Sequence, residues 1–486
     1  MKKIALFYTP PIEIIEDYTR IFLELIEENL FLKNEIKIIF CKGKIGLNKC
    51  VANYRGDRSK CFLCKRGLNY IKDKYSKNSN IEFISYSEKP IKNDVLDVIN
   101  INDLQKTDYK GVNIGFAVHS SAITTFRDHI YNIESRRNFI FDNLKSSIKT
   151  VDILLKIKPD HVYTFNGRVS HYNVIKNFAE HANVDFSIFE ISANKNKYKL
   201  LKNKPLHSID TYSNQIEETW NKSSLTIKEK EIESKSFFDI NSGREKNKNF
   251  KINVFSKDEI NKNKKIENLN LSNKRVVSIF NSSRNEFECV EGWNEDKFHE
   301  DDEYLIDEIC QYFKNNKEFM FVLRVHPNLK YLKNTQNKNI RKLINNENLI
   351  IINAEEKFSS YELVRMSETI ITFGSTIGVE STYMGKKSIT IGDSLYGGQN
   401  CTYKPKSFDE LIDLIKKEDL VPKPINSTHK FGFYILNNGI YFKFTKPIYL
   451  NSNKFKFLIL KTVNMYKYFL KNNFDDTLSI LKRSIK

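Results

Sequence analysis

The chain has 486 residues, of which 40% are hydrophobic and 28% are charged. One hydrophobic core rarely exceeds roughly 250–300 residues, so two or three domains are expected. The apolar content excludes a globally disordered protein. Lysine and arginine outnumber aspartate and glutamate by 78 to 60, which gives a net charge of +18. This excess suits phosphate groups, anionic lipid or nucleic acid, but a solvated basic surface is the simpler explanation.

Signals for secretion or membrane insertion are weak. The apolar run Ile4–Phe7 soon meets Pro10 and Pro11, so it is too short for the apolar region of a signal peptide. No stretch of about 18 apolar residues without charges predicts a transmembrane helix. Seven cysteines in so long a chain do not make a disulfide scaffold, and their odd number suits a reducing compartment. We therefore expect a cytoplasmic protein.

Short β-branched or aromatic runs alternate with longer helical patterns in the first half of the chain, as in α/β proteins with a parallel sheet. Strands are predicted at Ile4–Tyr8, Ile36–Cys41, Ile81–Tyr86, Val112–Ala117, His161–Phe165 and Asp185–Glu190. Helices are predicted at Ile12–Phe31, Asn132–Ile157 and Tyr172–His181. Residues 1–190 should therefore form an N-terminal α/β domain.

Residues 191–274 are rich in Lys, Asn, Ser and Glu and predict a polar helical insertion and linker, with a disordered loop as the alternative. The alternation resumes at Arg275 and predicts a second doubly wound domain over residues 275–425. Its strands are predicted at Val276–Phe280, Phe319–Val325, Leu349–Ile352, Thr369–Phe373 and Ser388–Ile391. Its helices are predicted at Glu303–Phe313, Ser360–Ser367, Gly378–Met384 and Phe408–Ile415. Two such Rossmann-like domains would face a cleft, with the ligand beyond the carboxyl ends of their strands.

The most informative stretch of the chain follows the predicted strand Thr369–Phe373. Gly374 lets a ligand approach the backbone, and Ser375 and Thr376 present hydroxyl and amide groups at the start of a helix, which suits an anion. Glu380, one turn further on, could reach a ribose hydroxyl if a nucleotide's phosphate occupied this loop. The alternative is that Ser375 and Thr376 only cap the helix and that Glu380 pairs with a lysine.

Two further loops should open onto the same edge of the second sheet. The strand Phe319–Val325 carries Arg324 and is followed by His326 and Pro327. Arginine can hold a phosphate by paired hydrogen bonds, and histidine can donate a proton to a leaving phosphate oxygen. The first strand of this domain is followed by Asn281, Ser282, Ser283 and Arg284. Together with the Gly374 loop, these residues predict a three-loop anion site.

These motifs resemble those of bacterial capsule polysaccharide biosynthesis proteins, which are related to GT-B glycosyltransferases such as capsular Kdo transferases and bacterial sialyltransferases. The motifs are Ser-Ser-Arg-Asn-Glu-Phe, Arg-Val-His-Pro-Asn, Ser-Ser-Tyr-Glu-Leu and Phe-Gly-Ser-Thr-Ile-Gly-Val-Glu-Ser-Thr-Tyr-Met-Gly-Lys. The resemblance covers Val276 to about Lys417 and implies a GT-B fold. It also implies that the His-Pro pair, His326 and Pro327, and the Ser/Thr pair, Ser375 and Thr376, bind the phosphate of a nucleotide-sugar donor.

The function that the resemblance implies is transfer of a sugar from a CMP- or UDP-linked donor to a capsular polysaccharide or its lipid-linked primer. Helix N-termini, Arg and His can replace a metal at the donor phosphates, so no cofactor is expected for transfer. The chain offers no Asp-x-Asp pair after a strand, since Asp57 and the pair Asp301 and Asp302 lie in polar stretches. Nucleic acid is not an expected partner.

The first half shares a thinner resemblance to the same proteins, in the segment Thr164-Phe-Asn-Gly-Arg168 and in Glu190, which ends the next strand. Gly167 permits a tight turn, so that Asn166 and Arg168 could bind acceptor hydroxyls or a donor carboxylate. The alternative is an ordinary strand-to-helix turn. An inverting transfer also needs a base for the acceptor hydroxyl. Four side chains could supply this base, and Glu190 is the one predicted to be catalytic: Glu190, Asp128, Glu134 and His119.

Two other segments stand apart from this site. Cys41, Cys50, Cys61 and Cys64 fall within a short stretch that could hold zinc or an iron–sulfur cluster, or could contain unligated or redox-active thiols. Residues 426–486 form a basic tail, in which Lys454–Lys486 interleaves cations with aromatic residues. This tail suits the inner face of an anionic cytoplasmic membrane, and equally suits packing back on the first domain.

Three other functions are compatible with parts of the sequence. A teichoic-acid-type polyol-phosphate transferase uses similar loops, but an Asp would be expected where Glu380 stands. A non-hydrolysing sugar-nucleotide epimerase would favour a Ser-Gly-Gly loop, which this chain lacks. A non-catalytic basic polysaccharide or nucleic-acid binder would need grouped aromatic and basic residues, and neither an RNA-binding signature nor a recognition helix is found.

Overall fold

The computed structural model describes residues 1–41, 58–86, 100–242, 250, 273–290, 292–293 and 297–450. The chain divides into two compact units. The first contains residues 1–192, 196–206 and the chain from Gly439 onward, and the second contains residues 193–195 and 207–438.

The sheet of the first unit is built from apolar runs that bury both faces. Its main strands are β1 (Lys3–Tyr8), β2 (Glu35–Phe40), β3 (Ile81–Ser85), β4 (His161–Phe165), β5 (Asp185–Ile191) and β6 (Lys197–Lys202). Their order is β6-β5-β4-β1-β2-β3, and β1 to β5 run parallel. Ala5 and Phe7 of β1 pack in one apolar layer, and Ile4 and Leu6 pack in the other. This alternation is what a strand covered by helices on both faces requires.

The helices of the first unit cover this sheet. They are Ile15–Phe31, Arg58–Tyr75, Ile101–Gln105, Gly115–Phe126, Ile133–Ile157 and Ser170–His181. The prediction of a strand over Val112–Ala117 was wrong. Only Val112–Asn113 is extended, in a short hairpin with Asp108–Tyr109, and a helix begins at Gly115. A short buried apolar run does not distinguish a strand from a buried helix, which is why the pattern misled.

The sheet of the second unit is parallel throughout its described strands. They are β7 (Arg275–Phe280), β8 (Phe319–Arg324), β9 (Leu349–Ile352), β10 (Thr369–Thr372) and β11 (Lys387–Thr390). Their order is β9-β8-β7-β10-β11, so the chain reverses its direction of progress between β7 and β10. Ligands of open α/β sheets bind beyond the carboxyl ends of the strands at such a reversal. The first sheet has the same kind of reversal between β1 and β4.

The predicted insertion and linker, residues 191–274, is divided between the two units. Within residues 191–274, β6 joins the first sheet antiparallel to β5, although its alternating lysines gave no strand signal. The two helices that follow β6 belong to the second unit. The helices of the second unit are Ile209–Lys222, Ile227–Asn241, Asp302–Tyr312, Thr335–Lys342, Ser360–Met366, Ile377–Tyr383, Phe408–Lys416 and His429–Asn437.

The chain returns to the first unit at Gly439, and the short strand Ile440–Tyr441 pairs with β6. Buried Glu24 of the first helix then accepts hydrogen bonds from the backbone N–H of Thr445 (2.9 Å) and from its hydroxyl (2.7 Å). The Arg20 guanidinium lies 3.6 Å from the centre of the Phe442 ring. An acid and a cation of one helix therefore hold this segment, here called the strap (residues 442–450), against the first unit.

The predicted α/β class with two doubly wound sheets is confirmed, although the first sheet carries antiparallel strands at the β6 edge. The five other strands predicted in the first half are present, with each end shifted by no more than about one residue. Among the described residues, no helix is both long and apolar enough to cross a bilayer.

Candidate functional site

Three loops meet at the reversal point of the second sheet. After β7, the Asn281 side chain accepts a hydrogen bond from the backbone N–H of His326, at 2.9 Å. The hydroxyl of Ser282 donates to the carbonyl oxygen of Phe373, at the end of β10. The sequence-predicted loops are therefore joined by direct hydrogen bonds, because the carboxyl ends of neighbouring parallel strands lie at one edge.

The His326 side chain has a defined tautomer. Its Nδ1 accepts a hydrogen bond from the backbone N–H of Asn328, at 3.2 Å. In the neutral ring the proton must then lie on Nε2, which makes Nε2 a donor. Pro327 begins the short helical turn Pro327–Leu329 and is exposed. This arrangement suits donation from His326 to an anionic oxygen.

Gly374 is required where it stands. Its φ is +81°, and a Cβ there would lie 2.5 Å from the carbonyl oxygen of Asp393, so a side chain would clash. Ser375, which follows, is partly buried and Thr376 is exposed. The Ser375 carbonyl accepts the hydroxyl of buried Tyr396 at 2.7 Å, which holds the turn in place.

Glu380 lies deeper than the sequence suggested. Its side chain is buried and accepts a hydrogen bond from the hydroxyl of Tyr361. Burial raises the pKa of this carboxyl to about 7, against the opposing effect of hydrogen bonds from Tyr361, Thr376 and Asn241. Glu380 is thus linked to Thr376 of the anion loop, and its role toward a ribose hydroxyl stays a prediction.

The two arginines predicted at this site are engaged with protein groups. Arg324 is buried and donates to the carbonyl oxygens of Asn353 (2.6 Å) and Glu356 (3.2 Å). The guanidinium of Arg284 pairs with Glu288 at 3.1 Å. Arg324 therefore supports the loop after β9, and Arg284 lies among carboxylates at the end of β7. Ser283, in the same loop as Arg284, is buried and donates to the side chain of Asn285 at 2.8 Å.

A second polar group lies at the carboxyl edge of the first sheet. Asn166 and Gly167 both have positive φ, which produces the tight turn after β4. The Asn166 amide donates to Glu190 at 2.6 Å, and Glu190 stands opposite Lys199 in the β5–β6 ladder. Burial raises the pKa of the Glu190 carboxyl, while Asn166, Lys199 and Arg168 oppose the rise. Asn166, Arg168 and Glu190 therefore share one environment, and their roles toward an acceptor or a donor sugar stay predictions.

The other candidate bases have different surroundings. Glu134 is exposed and pairs with Arg137 at 3.1 Å. Asp128 accepts the backbone N–H of Ile130 in a turn. The Nδ1 of buried His119 lies 2.8 Å from the hydroxyl of Tyr131. Glu190 is the carboxylate among these candidates that lies at a strand end with a raised pKa.

The cysteine cluster is only partly described, because Cys50 lies outside the described residues, as does Asp57. Cys41 packs against one apolar layer of the first sheet and Cys64 against the other. Within the described ranges, no group of three or more His, Cys, Asp or Glu side chains could hold a metal ion.

The metal hypothesis stays a prediction with a direct measurement. If the four thiolates bind metal, protein purified without added metal should contain about one zinc ion or absorb as an iron–sulfur cluster. Replacing Cys61 and Cys64 with Ser should then abolish this content. Elemental analysis that finds neither zinc nor iron would contradict the hypothesis.

No family model matches this chain. Protein FixF of Sinorhizobium fredii (strain NBRC 101917 / NGR234) is 28% identical over 138 residues, which is 28% of this chain and 31% of FixF. The chain thus spans about a third of the length of that curated relative.

Solved structures similar to this chain include two of KpsC from Thermosulfurimonas dismutans. The β-Kdo 2,4 transferase is 13% identical, covers 56% of this chain and 78% of its own, and has a TM-score of 0.36. The β-Kdo 2,7 transferase is 11% identical, covers 64% of this chain and 89% of its own, and has a TM-score of 0.34. MnaA of S. aureus, solved with UDP, is 11% identical, covers 90% of this chain and 94% of its own, and has a TM-score of 0.32.

Two of these similar structures are named as Kdo transferases. At these scores the likeness assigns neither a donor sugar nor an acceptor to this chain.

Several residues of the site were missed from the sequence. Tyr361 lies within the Ser-Ser-Tyr-Glu-Leu motif, so the motif itself could have pointed to it as the partner of Glu380. Lys199 lies in a strand that gave no signal. Asp302, placed from sequence in a polar stretch, is buried and pairs with His299 at 2.8 Å. Asp301 accepts backbone N–H groups at the start of the helix Asp302–Tyr312.

Proposed function

We propose that this protein is a glycosyltransferase of the GT-B type, which transfers a sugar from a CMP- or UDP-linked donor to a capsular polysaccharide or its lipid-linked primer. The observation that carries the proposal is the meeting of the Asn281–Arg284, His326 and Gly374–Thr376 loops at the reversal point of one parallel sheet. Hydroxyl, amide and imidazole donors at that position match the charge of a nucleotide's phosphates.

The second unit is proposed to bind the donor. As the bond between the sugar and the phosphate breaks, negative charge grows on the leaving phosphate oxygens. The Nε2–H of His326 and the hydroxyls of Ser375 and Thr376 would stabilise that charge, which is the usual means of lowering such a barrier without a metal. Glu380, held through Thr376, would act on the ribose from the base of the same loop.

The first unit is proposed to bind the acceptor. Glu190 would take the proton from the attacking hydroxyl, because its raised pKa makes it a stronger base than an exposed glutamate. Asn166 keeps the carboxylate oriented by its hydrogen bond. Arg168 would bind an acceptor hydroxyl or a carboxylate on the donor sugar.

The experiment that tests this function is incubation of the purified full chain with a panel of CMP-sugars, UDP-sugars and nucleotide-linked polyols, with and without capsular oligosaccharide acceptors. Release of free nucleotide together with a lengthened acceptor supports the proposal. Release of nucleotide from polyol-linked donors alone would favour a polyol-phosphate transferase. Conversion of one UDP-sugar into its epimer without an acceptor would favour a sugar-nucleotide epimerase.

We also propose that the protein works on an anionic membrane surface. The strap exposes Phe444 and Tyr449, and the Phe444 ring lies 6.0 Å from that of exposed Phe31. The segment Lys454–Lys486 that follows lies outside the described residues, and its sequence has eight cations and two anions. Each cation near an anionic surface contributes about 1 kcal/mol. Aromatic and basic side chains together suit a lipid headgroup region.

Cosedimentation with vesicles tests this membrane prediction. The full chain should bind vesicles that contain phosphatidylglycerol at low salt and detach at high salt, because the attraction is electrostatic. A chain that ends at Asn453 should bind much less while keeping its thermal stability. Equal binding by both chains would place the contact elsewhere, and failure of the shortened chain to fold would favour packing of the tail on the first unit.

A further inference from the structure

One buried amide connects both sides of Ser283 in the loop after β7. The Oε1 of Gln336 accepts the backbone N–H of Arg284, at 3.1 Å. The Nε2 of the same side chain donates to the carbonyl oxygen of Ser282, at 2.9 Å. Gln336 is 1% exposed and comes from the helix Thr335–Lys342, more than 50 positions further along the chain.

A second buried residue orients this amide. The remaining N–H of Gln336 donates to Oε1 of Glu303, at 2.9 Å. With this bond the Gln336 amide uses both of its hydrogens, so it cannot rotate without losing a partner. Glu303 lies in the first turn of the helix Asp302–Tyr312 and is 2% exposed.

We propose that Gln336, held in orientation by Glu303, is a positioning residue that keeps the Ser282–Arg284 backbone in the conformation that receives the donor. The importance of this loop for a ligand rests on the proposed function. The positioning itself rests on the three hydrogen bonds of one side chain. A loop held by a second element in this way is pre-organised and loses little conformational freedom when a ligand binds.

The charges around Glu303 should make the positioning of the Ser282–Arg284 backbone depend on pH. Burial and the carboxylates of Asp302 and Asp301 raise the pKa of Glu303 to about 8. The hydrogen bond with His299 and the charges of Lys297 and Arg284 lower the pKa of Asp302, so Asp302 keeps its negative charge. Glu303 is therefore neutral at pH 7, and above about pH 8 a further buried negative charge would form beside two others.

Residue-resolved hydrogen exchange of the full chain tests the proposal directly, because the Arg284 amide proton itself bonds to Gln336. In Gln336→Ala the protection of that amide should fall by at least about tenfold, as expected for one lost hydrogen bond. Gln336→Glu, which keeps the shape but cannot donate as a carboxylate, should loosen the loop as well. Lys338→Ala, on the exposed side of the same helix, is the matched control and should leave protection unchanged.

A conservative variant, Glu303→Gln, distinguishes the role of Glu303 from that of Gln336. Protection of Arg284 in the wild type should fall between about pH 6.5 and pH 9 after correction for intrinsic exchange, because ionised Glu303 is driven toward water. Glu303→Gln reproduces the neutral form, so its protection should stay constant over that range. A wild-type profile as flat as that of Glu303→Gln would overturn the role of Glu303.

Binding of UDP and CMP to the same variants separates this proposal from the proposed function. Unchanged Arg284 protection in both Gln336 variants would overturn the positioning role, whatever the enzyme does. If the wild type binds UDP or CMP, and the Gln336 variants lose Arg284 protection but bind that nucleotide with unchanged affinity, the link between the loop and the donor would be overturned. A wild type that binds neither nucleotide would count against the proposed function, while hydrogen exchange would still decide the positioning.

Discussion

Replacing His326 with Ala, and separately replacing both Ser375 and Thr376 with Ala, should each lower the rate of sugar transfer by at least about a hundredfold. The loss of one well-placed donor to a developing oxyanion typically costs about 2.7–4 kcal/mol of transition-state stabilisation. The His326 proton lies on Nε2 because Nδ1 accepts from Asn328, so the alanine variant loses a donor of fixed direction. The measurement is kcat for nucleotide release with the best donor from the panel.

The fold should survive these changes. His326 is partly buried and Thr376 is exposed, so neither truncation opens a large cavity. The matched control is His429→Ala, which removes the same side chain from the same unit at the start of another helix. Near-normal turnover in the His326 and Ser375/Thr376 variants, with thermal unfolding like that of the control, would contradict the assignment of this site.

The sequence located the strand ends of this site well, for a physical reason. A buried parallel strand needs a run of apolar residues, so the loop after it is recognisable from composition alone. The loops at Asn281, His326 and Gly374 were therefore expected at one edge, and their hydrogen bonds confirm that they meet. The hydrogen bonds that Gln336 makes to the backbone of a distant loop were not predictable. The local sequence of a helix does not indicate which distant loop its side chains contact.

The burial of the charged side chains near this site was harder to predict from the sequence than their position along the chain. Glu380 and Glu303 are charged residues near helix starts, where an exposed carboxylate is common. Both are buried, and a hydrogen bond from Tyr361 in one case and from Gln336 in the other offsets part of the cost of that burial. Arg324 was expected to face a phosphate, and its donors serve the backbone beyond β9 instead. The sign of charge alone does not tell whether a side chain meets a ligand or supports a loop.

Replacing Glu190 with Gln should lower kcat by about 10²- to 10⁴-fold, the usual contribution of a general base. A glutamine has one acceptor oxygen, so it can keep the hydrogen bond from the Asn166 amide or the one from the backbone N–H of Ile191, but not both. The free energy of unfolding should therefore fall by about 1 kcal/mol, while proton removal from the acceptor hydroxyl is lost. Affinity for the donor nucleotide should be unaffected, because Glu190 lies in the first unit.

The pH dependence of transfer distinguishes a base from a structural carboxylate. Burial raises the pKa of Glu190, so the acid side of the rate profile should lie above the usual range of a glutamate. Asn166 and Lys199 oppose that rise, so Asn166→Ala or Lys199→Met should move the acid limb to still higher pH. Glu134→Gln, at an exposed carboxylate paired with Arg137, is the matched control and should leave both the rate and the profile unchanged. A Glu190→Gln variant with full activity, or a pH profile that does not shift in the Asn166 and Lys199 variants, would rule out Glu190 as the base and would favour His119 or Asp128.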